Sequence, residues 1–242
     1  MIISIATHQD AAYHESGHAT ALAVRTGILT EHLFVGCKPD GTNAAGISDA
    51  PYIPRTEITD WDLIIYNLAG HAAERLFNPN ANRDGALSDD IVAEKVLRGR
   101  FPTDSWADTL NLVELQTTEI LQTHWKCIQE LATAILAVPS RTVTILGEDY
   151  RVHKLCSSKI AEILTDNAIQ TSKQFGSDHA DERFEKLLKR HLTNTRLAEG
   201  SLTLATEFRK WRRFSEMKVS TLAASNHQAW LDNFGTANAE EK

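Results

Sequence analysis

The chain has 242 residues, of which 42% are hydrophobic and 24% charged, and a formal net charge of −7. This composition excludes a mainly disordered or collagen-like chain and allows one large domain or two small ones. No run approaches 18 apolar residues, so no transmembrane helix is expected, and three cysteines fit a reducing cytoplasm better than a disulfide framework.

The start, MIISIATHQD, lacks a basic stretch and a long apolar core, so no secretory signal is expected. Charge is uneven. Residues 1–150 carry 10 Lys+Arg against 20 Asp+Glu, and residues 151–242 carry 15 against 12. The acidic first part makes nucleic acid an unlikely partner.

Residues 8–26 read as a helix stopped by Gly27. Ile28–Val35 is rich in β-branched residues and reads as a strand. Residues 36–57, with three glycines and three prolines, read as turns around one or two short edge strands. Thr59 or Asp60 caps a helix with the apolar stripe Trp61, Ile64, Ile65, Leu68, Ala72 and Leu76. Residues 78–87 form a loop, and Ser88 caps a helix carrying Val92, Val96 and Leu97. Thr103 or Asp104 opens a long helical region with Leu121, Trp125, Ile128, Ala132 and Ile135 on one face. Gly147 marks a break. All six prolines precede residue 140, so the remainder reads as helices, with stripes at Ile160, Ile163, Leu164 and at Leu204, Phe208, Trp211. The expected fold is mainly α. A helical domain with a small edge β-sheet spans residues 1–150, and an α-helical C-terminal extension spans 151–242.

The first helix carries His14-Glu15-Ser16-Gly17-His18, an HExxH motif. Positions i and i+4 share a helix face, so both imidazoles can reach one zinc ion. Glu15 lies about 100° around the helix, placed to take a proton from a metal-activated water. The flanks Ala11, Ala12, Ala19, Ala21, Leu22, Ala23 and Val24 are apolar and predict burial, where two histidines and a glutamate need partners. A zinc hydrolase needs a third protein ligand. The longer HExxHxxGxxH form is absent, because Ala21 and Val24 stand at its Gly and His positions. The residues leave Glu57, His71, Glu74, Asp84, Asp89 and Asp90 as candidates.

The stretch AAYHESGHATALAV resembles the zinc helix of the FtsH family of ATP-dependent metalloproteases. NLAGHAAERLF is similar to that family's LxGRAAExxxF segment, and GALSDDIVAEKVLR to its GASNDLxxATxIAR segment. The long helix from Glu114 to Leu136 with the following LGED resembles the end of the same peptidase domain. The four segments occur in the family's order and cover roughly residues 10–150. The resemblance implies that His14 and His18 ligate zinc, that Glu15 is the general base and that Asp90 is the third ligand. Two departures stand out. The family's Arg before AAE is His71 here, read as a surface or outer-sphere histidine, and Glu74 is read as an outer-sphere carboxylate. GALSDD is also one residue longer than GASND, with Asp89 next to the expected ligand.

The sequence contains no GxxxxGK phosphate loop, so the chain does not hydrolyse ATP by that mechanism. The expectation is a cytoplasmic zinc metallopeptidase acting on protein or peptide substrates. It would act alone or beside a separate ATPase, and assembly as a homo-oligomer is open to it. Leu33–Val35 or Gly46-Ile47-Ser48 could pair with an extended substrate. Two rival readings are a catalytically silent zinc-binding regulatory module and a stand-alone repressor-cleaving protease with Glu57 or Glu74 as ligand. The segment Arg209-Lys210-Trp211-Arg212-Arg213 reads as a solvated helix face around an inward Trp211.

Overall fold

The computed structural model describes residues 7–41, 44–49, 57–81, 86–101, 106–145 and 147–174. The chain divides into two compact units, 1–191 and 192–242, and every described residue lies in the first. The stripe Leu204, Phe208, Trp211, the basic run 209–213 and the caps Thr103 and Asp104 fall outside the described residues.

Helix α1 (His8–Thr26) starts at a capping box. The Thr7 hydroxyl accepts the Asp10 N–H at 3.1 Å, and the Asp10 carboxylate accepts the Thr7 N–H at 2.9 Å. It stops at Gly27, whose φ of 69° only glycine adopts without strain. The expected strand over 28–35 is two pieces, β1 (Ile28–Leu29) and β2 (His32–Cys37), followed by β3 (Ala45–Asp49). Helix α2 (Asp60–Phe77) is capped by Thr59, which accepts the Asp62 N–H at 3.0 Å. Helix α3 (Leu87–Arg100) begins before Ser88, with Ala86 at its cap position and no side-chain cap bond. Val92, expected inside, is 41% exposed, whereas Val96 and Leu97 are buried. The long helix divides at His124 into α4 (Trp106–Thr123) and α5 (Trp125–Ala137).

The region after α5 corrects the expectation of an all-helical remainder. Strands β4 (Arg141–Ile145) and β5 (Glu148–Cys156) form a hairpin, with Gly147 in its turn at φ 79°. Helix α6 (Ser157–Asp166) and β6 (Lys173–Gln174) follow. The break expected at Gly147 is thus a hairpin turn. Strand β5 crosses the expected boundary at residue 150 and sits inside an antiparallel sheet of order β3-β2-β5-β4. β6 pairs in parallel with β1. Residues 151–174 thus belong to the unit that holds α1. Among the described residues no helix is long and apolar enough to cross a membrane.

Helix α1 runs through the middle of this unit, and all its residues from Asp10 to Ala23 are buried except the partly buried Tyr13. One core joins its Ala12, Ala19 and Ala23 to Leu131 and Ile135 of α5, Leu33 and Val35 of β2, Leu155 of β5, and Ile160 and Leu164 of α6. A second joins Ala21 to Ile64 and Ile65 of α2, Leu97 of α3, Val113 and Leu121 of α4, and Ile128 of α5. Small residues let these elements close on α1. At Gly17 a Cβ would come within 2.6 Å of both the Ala69 carbonyl oxygen and the Ala73 Cβ. Helices α1 and α2 therefore meet almost backbone to backbone, which brings the polar face of α1 within reach of α2.

Candidate metal centre

His14 and His18 lie one turn apart on α1 with ring centroids 4.8 Å apart. Each has its Nδ1 tied to an oxygen that can only accept. His14 Nδ1 is 3.2 Å from Oε2 of Glu74 on α2, and His18 Nδ1 is 2.6 Å from the backbone carbonyl of Tyr66, also on α2. Both Nδ1 atoms must therefore carry the proton, and in the neutral ring Nε2 is left as a lone pair. Both Nε2 atoms face the same oxygen, Oδ2 of Asp89 in the first turn of α3, at 3.1 Å from His14 and 3.4 Å from His18.

Two lone pairs against a carboxylate repel unless a proton or a cation lies between them. The three ligand atoms all lie within 4.8 Å of one another. Donors bound tetrahedrally at about 2.0–2.1 Å stand about 3.3 Å apart. The two nitrogen–oxygen distances bracket that value, so these three residues could hold a metal ion. Gly70 of α2 leaves room. A Cβ there would sit 2.4 Å from Nε2 of both histidines.

The same attraction shifts the titrations. Burial pushes the His14 imidazole down, but its hydrogen bonds to Asp89 and Glu74 and the Glu15 charge outweigh that and hold it well above its usual value. Burial pushes Asp89 up, but the two imidazoles more than reverse this and hold it below the usual carboxylate range. Glu74 is also lowered, because hydrogen bonds to His14 and His71 overcome its burial. Glu15 moves the other way. Burial raises it, against the neighbouring imidazoles and a hydrogen bond from the Ser48 backbone N–H. Burial thus makes the Glu15 carboxylate a better proton acceptor than an exposed one.

The motif residues His14, Glu15 and His18 come together as expected. Asp90 does not join them. The carboxylate that meets both histidines belongs to Asp89, and Asp90 is buried next to it without belonging to the converging set. Adjacent helical residues point about 100° apart, so only one of the pair can face α1. Glu74 stands outside the donor set and orients His14, and His71 lies behind it with Nδ1 3.5 Å from Glu74 Oε2. Glu57 is not part of the cluster, and Asp84 lies outside the described residues.

Strand β3 closes the other side. Gly46 packs so tightly on Glu15 that a Cβ there would be 2.4–2.8 Å from its Cγ, Oε1 and Cδ. Sequence reasoning missed Tyr66 and Gly70, and named Gly46 only in a strand that could pair with substrate. The first acts on His18 through a backbone carbonyl that every residue possesses. The small pair Ala69-Gly70 was the one available signal of close approach. Protein-family models and curated proteins give no match to this chain.

Proposed function

We propose that the protein is a zinc-dependent metallopeptidase, with His14, His18 and Asp89 holding the ion and Glu15 acting as general base. One observation carries this reading. Two imidazoles, each with Nδ1 donating to a fixed oxygen, aim both Nε2 lone pairs at one carboxylate, and the only carboxyl of the motif left over is buried beside them. Zinc bound there supplies Lewis acidity, acidifying water and polarising a carbonyl. Glu74 and the Tyr66 carbonyl orient the rings, a support that commonly sets metal affinity. Glu15 accepts a proton from the attacking water and returns it to the leaving amine.

The sheet supports a peptide substrate. Leu33–Val35 is unsuitable for strand addition, because β2 is paired on both edges, with β3 and β5. β3 is an edge strand among the described residues and lies against Glu15, so an extended peptide pairing at its Gly46 end, clear of Ser48, would pass the base. The order of the four segments that resemble FtsH-type peptidases favours the same class, with Asp89 in the place first assigned to Asp90. The silent-module reading gives a buried, raised carboxyl at Glu15 no task.

The test is metal analysis of purified protein, followed by peptide hydrolysis with and without chelator. One zinc per chain and chelator-sensitive cleavage that Glu15→Gln removes are expected. Absence of stoichiometric zinc, or cleavage unaffected by both chelator and Glu15→Gln, would reject the reading.

A further inference from the structure

Tyr66 touches the candidate centre twice. Its backbone carbonyl holds His18 Nδ1 at 2.6 Å, and its ring lies 4.9 Å from the His18 ring. Its hydroxyl reaches away from α2 to strand β3 and donates to the Ser48 carbonyl at 3.3 Å. Ser48 in turn gives its backbone N–H to the Glu15 carboxylate. Both backbone polar groups of Ser48 are thus engaged by side chains of α1 and α2. Two residues earlier on the same strand, Gly46 presses on the Glu15 side chain. The contacts close a circuit: His18, Tyr66, Ser48, Glu15 and back along α1 to His18. Three elements, α1, α2 and β3, are joined through it.

We infer that Tyr66 is a positioning residue for the reaction proposed above, its hydroxyl fixing strand β3 so that Ser48 and Gly46 hold Glu15 in register with the metal-binding histidines. The inference rests on the peptidase reading. The hydroxyl is the one link in the circuit that can be removed alone, because the support of His18 comes from the backbone and that of the ring from its carbon atoms. A general base displaced by a fraction of an ångström loses rate without losing substrate affinity.

The experiment uses Tyr66→Phe in the full chain, with three measurements. Zinc affinity should stay within about twofold, because no ligand or ligand support is lost. Peptide hydrolysis should lose about tenfold in kcat with KM nearly constant. In a Glu15→Gln background the same substitution should cost nothing further, since a group acting only through Glu15 has no effect once the base is gone. A purely structural role would instead lower both backgrounds alike. Independently of activity, amide exchange at Ser48 should accelerate about tenfold in Tyr66→Phe, while Leu33 is unchanged. Unchanged kcat together with unchanged Ser48 exchange overturns the inference even if the wild type is a zinc peptidase. If the wild type cleaves nothing, the peptidase reading fails, and the exchange measurement still decides whether Tyr66 fixes the strand.

Discussion

The two halves of α1 are buried to nearly the same degree, yet they are held by different physics. Asp10, His14, Glu15 and His18 are 3–8% exposed, and Ala19, Ala21, Leu22 and Ala23 are 2% exposed or less. The second group needs only volume filled against it, which α2, α5 and their neighbours supply with aliphatic side chains. The first needs particular atoms at particular distances. Asp10 has Thr7 and Asn78, His14 has Glu74 and Asp89, His18 has the Tyr66 carbonyl, and Glu15 has the Ser48 N–H. One helix thus carries a packing half and a wiring half. The wiring half is where chemistry can be altered without loss of fold.

Substitutions can test that division. The largest effect is expected from His18→Ala, which should abolish stoichiometric zinc binding in a titration while leaving the far-ultraviolet circular dichroism helical. Asp89→Asn should come close to it, and Asp90→Asn should cost far less. Reversal of that order would restore Asp90 as the ligand. Leu22→Ala, in the packing half, should do the opposite, losing about 2–5 kcal/mol in denaturant unfolding with zinc affinity unchanged. Glu15→Gln should retain zinc and lower peptide turnover by at least about 100-fold. Glu74→Gln removes the charged anchor of His14 and should weaken zinc binding by about 10–100-fold with little change in stability.

The smallest effect concerns pH in metal-free protein. His14 has a raised folded-state pKa, so its contribution is complete below its unfolded value of about 6.5 and is lost as pH rises through the folded value. Asp89 and Glu74 are lowered, so theirs is present above about 4 and is lost as pH falls. Chelator-treated protein should therefore have its highest Tm at mildly acidic pH and decline towards pH 8.5. Added zinc should remove the alkaline decline, because the ion takes the proton's place. Parallel pH curves with and without zinc would count against the shared cluster.

Much of the fold could be read where local signals agree. Gly27 and Thr59 mark helix ends by their chemistry, and the spacing of Ile64, Ile65 and Leu68 gives the buried face of α2. The β4–β5 hairpin was missed because the absence of proline was taken as a sign of helix. The alternation in RTVTI, with a glycine two residues on, pointed to strands. The histidine pair and Glu15 were legible because their spacing is the mechanism. The choice between Asp89 and Asp90 was not, because two adjacent carboxylates in a first turn differ only in direction. That direction is set by how α3 meets α2. The contacts to the Tyr66 carbonyl and the Ser48 N–H are made by backbone atoms, to which no letter of the sequence corresponds.

Gly70 donates nothing to the centre, yet it decides whether there is space for one. A single methyl group there would fall on both Nε2 atoms, leaving every donor in the chain but nowhere for an ion to rest. Gly70→Ala is therefore a plug, and it offers a control that separates having the ligands from having the room. The same logic turns this position into a one-letter flag. On the proposed reading, a relative with a side chain at this place is expected to bind no metal there, whatever its histidines still spell.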